Sequence, residues 1–260
     1  MLAHLRVSIG RPIAAVTLLL AVAGCTLQES TAPIRRLDPF GAGDLDVSYR
    51  APSRAAVPGL QTTTVGSSRQ FTVYVPLEYD PDRSWPVAIL LHGNGDRGST
   101  IVAELQTEAE AQGVVLIAPN SARISWDLTF GEVGPDADYI EDVMGWMFDN
   151  INVDPSRLTL GGFSDGATYT AWLGLQNGDI FPKLLIMSGC ARFPEVRVGM
   201  PRIMMLHGSQ DRVFGVGSCV SLLLPDLQRE GYDVEYIEFD GPHRVATELT
   251  PRIVRFIAGE

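Results

Sequence analysis

The stretch Leu158-Thr159-Leu160-Gly161-Gly162-Phe163-Ser164-Asp165-Gly166-Ala167 decides how the chain is read. Leu158–Leu160 is a short apolar run suited to a buried strand, and a helical pattern begins near Asp165. Between them, Gly162-Phe163-Ser164-Asp165-Gly166 fits G-x-S-x-G, which sets a serine on a tight strand-to-helix turn. The glycines permit close chain approach there, and the helix N-terminus faces any oxyanion that develops beside the serine. A structural serine turn is the competing reading, and the position at a strand–helix junction argues against it. Ser164 is therefore the candidate nucleophile.

Outward from this turn, short apolar runs alternate with helical patterns from residue 70 onward. The expected strands are Phe71–Val75, Val87–Leu91, Val114–Ala118, Leu158–Leu160, Leu184–Met187, Ile203–Leu206 and Val234–Phe239. Between them, Ile140, Val143, Met144, Met147 and Phe148 form one apolar stripe at helical spacing. Continuous apolar strands separated by helices predict an α/β fold: a mostly parallel, doubly wound sheet covered on both faces. Ligands of such sheets sit beyond the carboxyl ends of the strands.

A serine nucleophile needs a base, and the chain has four histidines. His4 lies in the N-terminal leader. His92 and His207 each end an apolar strand before a glycine, which suits structural roles. His243, in Asp240-Gly241-Pro242-His243, follows the last expected strand on a loop that can bring it over Ser164. The acid should fall between serine and histidine in chain order, and Asp211 is the candidate because it follows the strand Ile203–Leu206 in Leu206-His207-Gly208-Ser209-Gln210-Asp211-Arg212-Val213. Its role would be to orient the imidazole and stabilise the imidazolium. Asp240 is the alternative, but three residues are too few for it to point back at His243. Donors for an oxyanion are expected from the main-chain amides of Asp165 and of Asn94, the latter in Leu91-His92-Gly93-Asn94-Gly95-Asp96.

Gly93-Asn94-Gly95-Asp96-Arg97-Gly98 also fits the dinucleotide fingerprint G-x-G-x-x-G. The next strand ends Ala118-Pro119-Asn120 with no acid to hold a ribose, and Ser99 stands where a phosphate loop needs lysine, so no nucleotide is expected. No metal motif such as H-E-x-x-H is present, and no cofactor is expected. Trp126 and Phe130, in the loop Asn120–Pro135, are candidates for an apolar wall of the substrate pocket, or equally for ordinary loop anchors. Between Met187 and Ile203 only about fifteen residues are available, too few for a cap or lid.

Taken together, L-H-G-N-G-D at Leu91–Asp96, G-G-F-S-D-G at Gly161–Gly166, H-G-S-Q-D-R-V at His207–Val213 and G-P-H at Gly241–His243 resemble the phospholipase/carboxylesterase group of α/β-hydrolases. That group is related to acyl-protein thioesterases and to polyhydroxybutyrate-depolymerase-like esterases. The pieces occur in family order over residues 70–260. The resemblance implies a minimal α/β-hydrolase domain and a serine esterase acting on small or exposed esters, with Ser164, His243 and Asp211 as its triad. A thioesterase or peptidase on the same triad, or an inactive binding protein on the fold, are the other readings. Two departures from the family stand out: Asp165 replaces the usual Gln or Asn, and Pro242 a commoner glycine.

The remaining features concern class and location. With 45% hydrophobic and 20% charged residues in 260, the chain has a globular composition, which excludes collagen, coiled coil and disorder throughout. Its 20 basic residues against 31 acidic ones, net −11, argue against a nucleic-acid partner. Residues 1–24 read as an export signal: Arg6 and Arg11 precede an uncharged apolar run, Ile13–Ala23, too short to span a bilayer. Val22-Ala23-Gly24-Cys25 resembles a lipoprotein lipobox, so Cys25 is the expected lipidation site. The mature protein would then be held at the cell envelope, at the outer membrane or cell surface. An ordinary secretory signal is the alternative. Residues 25–66, rich in Pro, Ala, Thr and Ser without apolar periodicity, are expected to be a flexible tether, and 67–260 the catalytic domain. Cys190 and Cys219 follow consecutive expected strands; export permits a disulfide between them, and two buried free thiols are the other possibility.

Overall fold

The computed structural model describes residues 43–66, 68–132, 134–190 and 192–260. The export segment and Cys25 lie outside the described residues. The eight strands are β1 (Gly59–Thr64), β2 (Gln70–Val75), β3 (Trp85–Leu91), β4 (Val115–Pro119), β5 (Val153–Phe163), β6 (Lys183–Met187), β7 (Arg202–Gly208) and β8 (Val234–Phe239). Five helices accompany them: α1 (Gly98–Gln112), α2 (Pro135–Asn150), α3 (Asp165–Gln176), α4 (Val220–Arg229) and α5 (Thr250–Ala258).

They build one sheet in the order β1-β2-β4-β3-β5-β6-β7-β8. β1 and β2 run antiparallel to their neighbours, and all pairs from β4 to β8 are parallel. Every residue of β3, β4 and β6 is buried, because helices cover both faces. On one face Val87, Ile89 and Leu91 meet α2, α3 and α4 through Ile140, Tyr169 and Leu223. On the other, Ala88 and Leu90 meet α1 and α5 through Ile101, Leu105, Ile253 and Phe256. The stripe Ile140, Val143, Met144, Met147 and Phe148 is the buried side of α2, as its spacing requires. The order reverses direction between β3 and β5, so a crevice opens at their carboxyl ends.

The expected tether is corrected over residues 43–66. Leu45 and Ala56 are buried, and the Asn177 side chain ties the segment down by accepting from Leu45 N and donating to the Gly43 carbonyl. β1 pairs with β2 from Gly59↔Val75 to Thr64↔Gln70. Its Gly-Leu-Gln-Thr-Thr-Thr sequence has little apolar content, yet threonine suits an edge strand that is only half buried. Among the described residues no helix is long and apolar enough to cross a membrane.

Candidate active site

β5 ends at Phe163 and α3 starts at Asp165, so the turn between them is Ser164 alone. Its backbone has φ 58° and ψ −122°, a region costly for a residue with a Cβ, on the order of 1–3 kcal/mol. The flanking glycines make this turn possible. A Cβ on Gly162 would lie 2.4 Å from the Gly166 backbone, and one on Gly166 2.2 Å from the Leu91 carbonyl oxygen. Ser164 N–H donates to the Met187 carbonyl at 3.0 Å, which ties the turn to the end of β6.

The structure brings Ser164, His243 and Asp211 together across loops that are far apart in sequence. Ser164 Oγ lies 2.8 Å from His243 Nε2, and His243 Nδ1 lies 2.6 Å from Asp211 Oδ2. With Nδ1–H donating to the carboxylate, Nε2 is free to accept the serine hydrogen. The Asp211 side chain is fully buried, and its Oδ1 accepts from Val213 N–H and Phe214 N–H at 2.8 Å each. Burial works to raise this carboxyl, but the His243 hydrogen bond and the two amides outweigh it and hold it below its ordinary value. Asp240 is exposed and accepts instead from Gln210 Nε2 at 2.6 Å.

Two aromatic rings that sequence reasoning missed hold the imidazole. Phe163 lies tilted against His243 at 4.9 Å between centroids, and Phe214 meets it edge-on at 5.6 Å. Their only sequence signal is adjacency: Phe163 precedes Ser164, and Phe214 follows Asp211 by three residues.

The Asn94 loop closes on the other side of Ser164. A Cβ on Gly93 would come within 3.3 Å of Ser164 Cβ, so the chain runs directly beside it. Asp165 opens α3, and a helix's first amides have no intrahelical acceptor. Its carboxylate, read from the sequence only as an anomalous charge, has partners: Oδ2 accepts from Ser125 Oγ at 2.6 Å and from Asn94 Nδ2 at 3.2 Å. Asp165 thus joins the Ser164 turn to the Asn94 loop and to the loop after β4. Ser125 had no motif to announce it.

His92 is buried and structural in its contacts. Its Nε2 accepts from Ser121 N–H at 3.0 Å, so Nδ1 carries the hydrogen and donates to the Gly93 carbonyl at 2.8 Å. Burial holds its pKa below the ordinary value, which keeps the ring neutral.

Trp126 is corrected. It is fully buried, its Nε1 donates to the His92 carbonyl at 2.8 Å, and its ring packs on His92 and Tyr169, so it forms core and not pocket wall. Phe130 is exposed beneath the Arg123 guanidinium. Two cavities meet at His243. One of about 830 Å³ is bordered by Ser209, Asp211, Arg212, Val213 and Pro242. The other, about 250 Å³, is bordered by Gly93, Glu104, Phe163 and Val245. Cys190 and Cys219 form a disulfide, with Cα atoms 4.5 Å apart, between the end of β6 and the start of α4. Among the described residues no cluster of His, Cys, Asp and Glu is arranged to hold a metal.

No protein-family model matches the chain. A stretch of 130 residues is 29% identical to "Probable feruloyl esterase C" of Aspergillus niger, covering 47% of this chain and 47% of that protein. The match thus spans about half the length of the curated relative. Among solved structures, an S-formylglutathione hydrolase of Staphylococcus aureus superposes with a TM-score of 0.65 at 17% identity, over 80% of this chain and 99% of that one. A ferulic acid esterase of Anaeromyces mucronatus, in complex with ferulic acid, gives 0.60 at 17% identity, over 82% and 97%. Together with the sheet order, these likenesses define the class: the chain has the α/β-hydrolase fold.

Proposed function

We propose that this protein is a serine hydrolase that cleaves carboxylic esters through an acyl-enzyme. The observation that carries the reading is the unbroken chain Ser164 Oγ, His243 Nε2, His243 Nδ1, Asp211 Oδ2, at 2.8 Å and 2.6 Å. In the first step Ser164 Oγ attacks the ester carbonyl while His243 Nε2 takes its proton. Charge gathering on the carbonyl oxygen meets the main-chain amides of Asp165 and Asn94. The imidazolium, stabilised by Asp211, returns the proton to the leaving alcohol as the C–O bond breaks. Water then repeats the sequence: His243 accepts its proton, the hydroxide equivalent attacks the acyl carbon, and Ser164 leaves protonated.

Small or exposed esters are the substrate class. His243 borders a cavity of about 830 Å³, and the described residues of the short link from β6 to β7 form no helix or strand that would cover the site. The names of the relatives point the same way, one to feruloyl esters and one to the thioester-type S-formylglutathione. Turnover of p-nitrophenyl esters of increasing chain length, beside feruloyl and thioester substrates, tests the class. A fluorophosphonate probe that failed to label Ser164 in the folded protein would leave only a binding function.

Location forms a second part of the proposal: export, with lipid attached at Cys25. The disulfide supports an oxidising compartment. Cys25→Ser should abolish lipidation and leave the chemistry of Ser164 intact. Wild-type protein recovered soluble, with its mature N-terminus away from Cys25, would overturn the anchor.

A further inference from the structure

One buried polar group beside the triad is not used by the mechanism above. His207, near the end of β7, is 2% exposed. Its Nε2 lies 2.5 Å from the Phe214 carbonyl oxygen and 3.3 Å from Asp211 Oδ2. A main-chain carbonyl and an ionised carboxylate are both acceptors only, so Nε2 must carry the hydrogen. The same Oδ2 takes the hydrogen bond from His243.

We propose that His207 is a positioning residue for the triad, its Nε2–H holding the Phe214 carbonyl so that the Phe214 amide on Asp211 and the Phe214 ring on His243 keep His243 aimed at Ser164. The proposal rests on the Ser164–His243–Asp211 reading. Phe214 contributes its amide to Asp211, its carbonyl to His207 and its ring to His243. A single buried imidazole therefore grips the aromatic residue that touches both acid and base, and it lies 3.3 Å from the acid itself. His92 provides the contrast. It also ends a strand and is also buried, but its two ring nitrogens are spent on Gly93 and Ser121 and neither reaches the acid. Buried polar groups are kept where each finds a partner, and His207 finds its partners in the triad's own support.

The test uses the full chain. Nitrogen-15 NMR of the imidazoles in the wild-type protein should find His207 as the Nε2–H tautomer; an Nδ1–H tautomer overturns the proposal. His207→Leu should lower kcat on p-nitrophenyl acetate about 10²-fold, the scale of a misplaced catalytic group. KM should stay within about twofold, because the lost interaction acts on the transition state. His207→Gln, which returns an N–H donor, should recover much of kcat and restore the downfield His243 Nδ1 proton resonance. All rates are taken where circular dichroism finds the variants folded. A folded His207→Leu with wild-type kcat, or a His207→Gln no better than it, overturns the role. If His207→Leu does not fold, the wild-type tautomer decides. Ser164→Ala run alongside separates the failures: activity there sinks the triad itself, whereas an inactive Ser164→Ala beside a fully active His207→Leu sinks only the inference.

Discussion

The two ends of the sheet each bury a charged side chain, and they treat it differently. At the amino end of β6, Lys183 is 8% exposed and donates to the Phe256 and Ile257 carbonyls at 3.0 and 3.1 Å. These are among the last carbonyls of α5, where the helix dipole favours a cation. At the carboxyl ends, Asp211 is just as deep but faces two imidazoles as well as two amides. A charge whose hydrogen bonds go only to main-chain carbonyls has no titratable partner with which to exchange a proton. A charge matched by a titratable ring can stabilise that ring in either protonation state, which is the requirement of acid–base chemistry. The backbone follows the same division. The two non-glycine residues with positive φ, among those described, are Ser164 and Ser188, both at carboxyl ends of strands.

This contrast can be broken at either end. The largest expected effect is at the strained turn: Ser164→Ala should lower kcat on a short-chain ester by about 10⁴-fold or more with the fold intact. A variant retaining a tenth of the wild-type rate would show that the strain there serves something else. Next, Asp211→Asn should cost roughly 10³–10⁴-fold at neutral pH, since the amide no longer holds the required tautomer. Asp240→Asn, on an exposed partner of Gln210, should leave the rate within about twofold. Equal losses in the two variants would mean that the buried carboxylate is not the acid.

Removing the disulfide should affect stability. The bridge closes a separation of 29 residues, so a Cys190→Ser/Cys219→Ser double variant should lose about 3–4 kcal/mol in urea unfolding. An unchanged midpoint would mean that the end of β6 and the start of α4 hold together without it.

The smallest effect belongs to Lys183. Burial, with Arg157 and Arg202 nearby, pushes its amine down from 10.5 to about 8. Between those values the unfolded chain still binds a proton that the folded chain has released. Stability contributed by this site should therefore rise as pH goes from about 8 to 10.5, by on the order of 1–3 kcal/mol, and be lost again as pH falls back through 8. Lys183→Met should flatten that rise. If wild type and variant have parallel stability–pH curves across the window, the amine is not buried as charge.

Particular residues explain what was legible in advance. Ser164 could be read because its turn is local: five consecutive residues carry both the glycines and the candidate nucleophile. His243 emerged by elimination among four histidines, and Asp211 from its place in the loop just after an apolar strand. β1 was hidden because a half-buried edge strand of threonines has no apolar signature. Trp126 stayed open between pocket wall and loop anchor because a loop has no periodicity to say which way a ring points. Asp165 could be read for its amide and its unusual charge, but its carboxylate's bonds to Ser125 and Asn94 join segments 40 and 71 residues away.

By itself the sequence determined the alternation of strands and helices, the turn at Ser164 and the identity of the candidate triad, because each depends on residue type, short-range spacing or order along the chain. Only the tertiary structure decided that Cys190 meets Cys219, that residues 43–66 pack on the domain, that Trp126 is core, and that His207 touches Asp211. Those are distances between segments remote in sequence, set by how the strands order themselves in the sheet, and no local pattern encodes them.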